Sequence, residues 1–264
     1  MANDAPKIKL HWLDGSRAQS VLWLLEELQV PYELELYHRA SNLLAPPELE
    51  KVHPLGKSPV VTITPPGEGA GQQPIVLAES GFIIQYLCEH FAKADTLVPR
   101  RWREGREEGG VGAETEEWMR YQYIMYYSEG SFMPYLWLSL VLSALKGPSV
   151  PFFLRPITGA VAGKVHDALI LPNWKRHLAF LEQQLKTSPG GGKYLAGARL
   201  TACDIIMSYP LIAGRDTLAG AVGGADKHPE FFAYIDRLQE EPGWKKGAAK
   251  IKEIEGYFSV APKH

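Results

Sequence analysis

The stretch KIKLHWLDGSRAQSVLWLLEELQVPYELELY, residues 7–37, decides the fold. Its first seven residues, KIKLHWL, alternate in polarity and read as a β-strand. From Arg17 to Leu28 the period changes, and Val21, Leu24, Leu25 and Leu28 recur at helical spacing. Pro31 ends that pattern and YELELY alternates again as a second strand. Two strands joined through a helix lie parallel, so the chain opens with a βαβ unit.

Working outward, HRASNLLAPPELEKVHPLG (38–56) is irregular with room for one short helix. SPVVTIT (58–64) is a β-branched run typical of a central strand. The turn PPGEGAGQQ and the run PIVLA beyond it complete a hairpin. Ile83, Ile84, Leu87 and Phe91 restore a helical face from Glu79 to Phe91. The order β-α-β-α-β-β-α predicts a thioredoxin-like α/β domain over 1–95. LVP and the charged, Gly-rich RRWREGREEGGVGAE make 96–114 a linker with a surface insertion. Residues 115–264 then read as an all-α C-terminal domain. Its helical patterns run over Glu114–Glu129, 132–145, Asn173–Lys186, Ala202–Ala213 and Glu230–Glu240.

Bulk properties agree with two globular domains. The 264 residues are 45% hydrophobic and 22% charged. Lys plus Arg number 28 against 30 Asp plus Glu, a net charge of −2, which offers no field for nucleic acid. Cys88 and Cys203 lack disulfide or metal spacing, so no metal is expected and a reducing, cytoplasmic setting is. MANDAPKIKL carries no signal pattern. FMPYLWLSLVLSAL (132–145) is apolar but short of the about 20 residues a span needs. It is expected to be a buried helix, with peripheral contact to an intracellular membrane as the alternative.

Three stretches carry candidate chemistry. Ser16-Arg-Ala-Gln19 matches a capping box, worth about 1 kcal/mol. The same hydroxyl stands at a strand-to-helix junction, beside the positive end of a helix dipole, where an anion is favoured. In HPLGKSPVV (53–61), Pro54 and Pro59 punctuate a loop entering a strand. If Ser58-Pro59 is cis, the Ser58 backbone can pair with an extended peptide, and Lys57 can meet a carboxylate. Glu79 and Ser80 in LAESGFIIQYL (77–87) begin a helix, as a cap or as a site for a carboxylate with Glu79 pairing an ammonium. A carboxylate and an ammonium on one carbon make an amino acid. Taken in order, the sites outline γ-glutamyl-cysteinyl-glycine.

On SRAQSVLWLLEEL, PLGKSPV, LAESGFIIQYL, LVP, YLAGARLTACDI and HPEFFAYIDRLQEEPGWKK, the chain resembles the cytosolic glutathione transferase family along its whole length. HWLDGSRAQSVLWLLEEL looks most like fungal transferases of the GTT type. The resemblance implies glutathione as co-substrate, a homodimer, and a detoxification or stress role. It implies that Ser16 is the hydroxyl that stabilises the glutathione thiolate. Lys57, Ser58, Pro59, Glu79 and Ser80 then bind glutathione, with Arg17 as a helper lacking a firm family counterpart. His53 stands where relatives often have Asn and is given no ligand role. Thr201 and Asp204 are implied to form the capping box of a core helix, as T-x-x-D also reads locally. Tyr121, Tyr126 and Trp137 are candidate walls for a hydrophobic electrophile.

A free thiol has a pKa near 8.5. Lowering it by about two units needs roughly 2.7 kcal/mol. A hydroxyl bond to the anion, about 1.5 to 3 kcal/mol, together with a helix start, about 0.3 to 1 kcal/mol, covers that. The expected activity is thiolate attack on hydrophobic electrophiles, with hydroperoxide reduction as a variant. The alternative is a non-catalytic glutathione- or ligand-binding regulatory member of the same fold.

Overall fold

The computed structural model of the chain describes residues 5–40, 42–66, 73–148 and 150–261. Most of the expected turn at 65–73 lies outside the described residues. Contacts divide the chain into two compact units, Met1–Val98 with Leu238–His264, and Pro99–Arg237.

In the first unit β1 (Lys7–Leu13) pairs parallel with β2 (Tyr32–Tyr37), from Ile8 opposite Tyr32 to Leu13 opposite Tyr37. On its other side β1 pairs antiparallel with β3 (Val60–Thr64), which pairs antiparallel with β4 (Ile75–Ala78). The sheet order is β2-β1-β3-β4. Helices α1 (Ala18–Leu28) and α2 (Ser80–Phe91) pack against each other. Val21, Leu22, Leu24 and Leu25 of α1 are fully buried with Leu10 of β1, so the amphipathic spacing becomes core. The second helix of the predicted order is a single 3-10 turn, Pro47–Lys51. Prolines 46 and 47 start it and only Leu49 of PELEK is buried, packed on Leu13 and Tyr37, so there is no face to support a longer helix.

A polar chain crosses this sheet. His11 Nδ1 donates to the Tyr37 hydroxyl (3.1 Å), which donates to Glu35 Oε1 (2.7 Å), while Lys9 Nζ holds Glu35 Oε2 (3.1 Å). His11 Nε2 then accepts from Thr62 Oγ1 (3.2 Å). This donor order keeps the ring neutral, and burial lowers its pKa below the ordinary value of 6.5.

The second unit is helical. A π-turn, Ser128–Phe132, joins α3 (Glu116–Tyr127) to α4 (Met133–Ala144). Another, His166–Ile170, joins α5 (Arg155–Val165) to α6 (Leu171–Lys186). Then follow α7 (Ala202–Ala213), α8 (Arg215–Val222), α9 (Gly224–Lys227) and α10 (Pro229–Glu240). At the start of α7, Thr201 and Asp204 form the expected capping box. Asp204 Oδ2 accepts the Thr201 N–H (2.9 Å), and Oδ1 accepts from Leu195 N–H (3.0 Å) and the Tyr234 hydroxyl (2.7 Å).

Four helices, α5, α8, α9 and α11, are absent from the sequence reading. The first, α5, buries only Ala162 and contains Gly159 and Gly163, which weaken its helical signal. The last, α11 (Pro242–Glu255), packs on α1 through Gly243, Gly247 and Trp244, whose ring meets Trp23 edge-on. A Cβ on Gly243 would overlap Glu27 Oε1 and lie 2.8 Å from Trp23 Cδ1. Glu27 Oε1 accepts the Gly243 N–H (3.1 Å) and the Trp23 indole N–H (2.9 Å), satisfying the exposed start of α11 from a neighbouring helix.

The expectation of a buried helix at 132–145 is overturned. Phe132, Met133, Leu136 and Leu142 are buried, but Trp137, Leu140 and Val141 are 59%, 55% and 46% exposed. The core of the second unit covers one side of α4 only, although the helix is apolar all round.

Candidate functional site

Three separate loops of the first unit converge on one pocket of about 310 Å³, counting its open mouth. Arg17 enters from the start of α1; Lys57, Ser58 and Pro59 come from the loop before β3; Glu79 and Ser80 come from the β4-to-α2 junction. All the glutathione-binding candidates therefore line the same cavity. His53, Leu55 and Ala78 complete the lining. The family resemblance gives His53 no ligand role, and Leu55 and Ala78 carry no sequence signal beyond their neighbours.

Each contributor has a local cause. The Ser58-Pro59 peptide bond is cis. Pro59 is buried at the entrance to β3, while Ser58 is half-buried and lines the pocket. Glu79 occupies the position before the first turn of α2 with φ 71° and ψ 118°, a region a non-glycine residue rarely adopts. Its carbonyl accepts the Ile83 N–H (2.9 Å), which ties this conformation to the helix. The Glu79 side chain makes no capping bond and is exposed, and Ser80, expected with Glu79 at the cap, is the first helical residue. The start of α2 thus faces the pocket with its N–H groups uncovered by Glu79. Arg17 and Lys57 are the cations of the lining and Glu79 its carboxylate.

Ser16 departs from its expected capping box. Its Oγ donates to the Leu13 carbonyl (2.7 Å) and accepts the Ala18 N–H (3.1 Å). Gln19 N–H goes to the backbone carbonyl of Ser16 (3.2 Å), and the Gln19 side-chain amide is buried with neither nitrogen nor oxygen partnered. The reason is the tight turn through Gly15, at φ 51°, which brings Ser16 Oγ to Ala18 rather than to Gln19. Ser16 is also 3.2 Å from Ser58 Oγ, so it touches a pocket residue without lining the pocket itself. A hydroxyl has one hydrogen. With that hydrogen on Leu13, Ser16 reaches a ligand as a donor only by turning it.

In the second unit Tyr121 is fully buried in the core, whereas Tyr126 and Trp137 expose their rings. Burial pushes the Cys88 thiol up to about 12, and Cys203, wholly buried, also rises. Neither cysteine lines the pocket, and burial disfavours the thiolate of each.

Comparison with known proteins converges on one family. The N-terminal domain profile of glutathione S-transferases matches residues 15–90, and the C-terminal domain profile matches 162–246. Glutathione S-transferase 1 of Saccharomyces cerevisiae is 36% identical over 253 residues, covering 96% of this chain and 99% of that protein. Glutathione S-transferase 3 of Schizosaccharomyces pombe is 30% identical over 93% of this chain and 88% of that protein. Among solved structures, a glutathione S-transferase from Actinobacillus pleuropneumoniae superposes with a TM-score of 0.64 at 26% identity, over 97% of both chains.

Proposed function

Because this chain belongs to the glutathione S-transferase family, we propose that its first unit binds glutathione across the Arg17, Lys57, Ser58, Glu79 and Ser80 pocket and activates the thiol at the start of α1. The observation that carries the reading is charge arrangement. Glutathione has two carboxylates and one ammonium, and the pocket offers two cations, one carboxylate and an uncapped helix start. Glu79 pairs with the ammonium, the α2 start and Ser80 hold the γ-glutamyl carboxylate, and the Ser58 backbone pairs with the cysteinyl residue. Lys57 takes the glycyl carboxylate.

The sulfur then lies toward Ser16 and Arg17, where the α1 dipole favours its anion. The thiol proton passes to water. The thiolate forms a carbon–sulfur bond to the electrophile, and the leaving group departs with its electron pair. Tyr126 and Trp137, with exposed rings, are suited to an apolar electrophile. The reading extends to a cytoplasmic homodimer that clears such compounds.

The test is calorimetric titration with glutathione alongside conjugation of a general aryl chloride. The wild type is expected to bind and conjugate. Glu79→Gln removes a charged bond worth about 1.5 to 3 kcal/mol, so glutathione affinity should fall by about tenfold or more. Absence of glutathione binding overturns the proposal. Binding without conjugation above the uncatalysed rate replaces it with the non-catalytic reading.

A further inference from the structure

We propose that Arg39 is a positioning residue for thiol activation: it fixes the turn that holds the Ser16 hydroxyl against the pocket residue Ser58. The inference rests on the glutathione reading of that pocket. Arg39 lies just beyond the end of β2 and is not among the residues lining the cavity. Its side chain is given over to backbone. Nε donates to the Asp14 carbonyl (3.0 Å), Nη2 to the Gly15 carbonyl (3.0 Å) and Nη1 to the Leu43 carbonyl (2.8 Å). The Arg39 N–H donates to Asp14 Oδ1 (2.8 Å), and the Asp14 N–H donates to the Tyr37 carbonyl (3.3 Å).

With Arg39 in place, each carbonyl from Leu13 to Arg17 has a donor. Ser16 Oγ serves Leu13, Arg39 serves Asp14 and Gly15, and the Gln19 and Ser20 N–H groups serve Ser16 and Arg17. Gly15 and Ser16 are buried, so a carbonyl that lost its donor there would turn toward another. Gly15 is the pivot of the turn, at φ 51°, and rotation about it swings Ser16. The position of Ser16 Oγ, 3.2 Å from Ser58 Oγ, therefore depends on a guanidinium outside the pocket.

The far end of the clamp is also fixed. Leu43 has φ 63°, a conformation that a leucine keeps only when its surroundings impose it. Its N–H donates to the Ala40 carbonyl (2.8 Å), and the Ala40 N–H donates to the Leu44 carbonyl (3.1 Å), so Arg39 ties the Ser16 turn to a closed loop. All three side-chain partners are neutral carbonyls. Geometry rather than charge is thus what the site takes from Arg39: a planar fork reaches three separate acceptors, which a point-like ammonium does not.

The test compares the full-length wild type with Arg39→Lys, which keeps the charge and loses the fork. Ultraviolet titration of bound glutathione should show the thiolate midpoint raised by about one pH unit, with kcat for an aryl chloride lowered about tenfold. Glutathione affinity by calorimetry should stay as in the wild type, because Lys57, Glu79 and Ser80 stand on other loops. In a Ser16→Ala background Arg39→Lys should cost no further turnover, since the two act through one group. Asp14→Ala removes only the acceptor of the Arg39 N–H and should raise the midpoint by less, whereas loss of its negative charge alone would lower it. That variant carries the test if Arg39→Lys does not fold. An unmoved midpoint with full turnover in Arg39→Lys, a loss that adds to that of Ser16→Ala, or an Asp14→Ala midpoint that fails to rise would each overturn the proposal while the wild type still binds and conjugates glutathione. A wild type that binds none fails the reading of the pocket itself, and this inference with it.

Discussion

Ser16 is where one side chain must serve two demands. Its oxygen already takes the Ala18 N–H and its hydrogen rests on the Leu13 carbonyl. To stabilise a thiolate it turns that hydrogen to the sulfur while keeping the Ala18 bond, so helix start and donor are held by the same atom. Ser16→Ala is therefore expected to cost about 1 kcal/mol of stability from the lost local bonds. Bound glutathione should also titrate at a higher pH, with turnover falling by about tenfold or more. Ultraviolet absorbance of the bound thiolate against pH separates the two effects. An unmoved midpoint would assign activation to Arg17 and the helix start, leaving Ser16 a purely structural residue.

Elements meet here through glycine and through one unsatisfied amide. The α11 helix lies close to α1 because Gly243 has no Cβ, and Glu27 seals the contact from α1. Gly243→Ala should force the two helices apart at a cost of about 1 to 3 kcal/mol, lowering the denaturant midpoint. A midpoint equal to that of the wild type would show that Glu27 and Trp23 can move aside. In the same interface the Gln19 amide is buried and unpartnered, and Gly247 lies over it with Gln19 Nε2 3.7 Å from where a Cβ would stand. Replacing a buried amide that makes no bonds by an apolar side chain of similar length removes a desolvation cost of about 1 to 3 kcal/mol. Gln19→Met should raise the melting temperature, and a lower one would reveal that the amide is satisfied in solution.

Both units of the molecule carry a histidine kept neutral by burial. His11 sits in the sheet of the first unit and His177 hydrogen-bonds Tyr127 (2.7 Å) in the second, and burial lowers the pKa of each below 6.5. The unfolded chain gains these protons first as pH falls, so the stability they contribute is complete above pH 6.5 and declines below it. Asp204, pushed up by burial, acts in the opposite sense because its fold favours the protonated form. The clean observable is thus a difference: His11→Gln should lose less stability between neutral and mildly acidic pH than the wild type does. Parallel curves would show that His11 is not the group responsible.

Residues 7–37 were sufficient for the βαβ start, because strand and helix periods are local properties read by the nearest turns. The β3-β4 hairpin, the Thr201–Asp204 box and the types of residue at the pocket followed from equally local signals. What the sequence could not determine depends on distant chain. Arg17, Lys57 and Glu79 lie far apart in sequence and become one pocket only when β1, β3 and β4 are paired. The direction of the Ser16 hydrogen depends on a turn geometry that composition does not encode. Hydropathy reports how apolar α4 is, but its exposure is decided by how much of its circumference other helices reach. The α11 contact joins Trp244 to Gly243 and Gly247, and the close approach at the glycines depends on what their side chains lack, which only a neighbouring helix in space reveals.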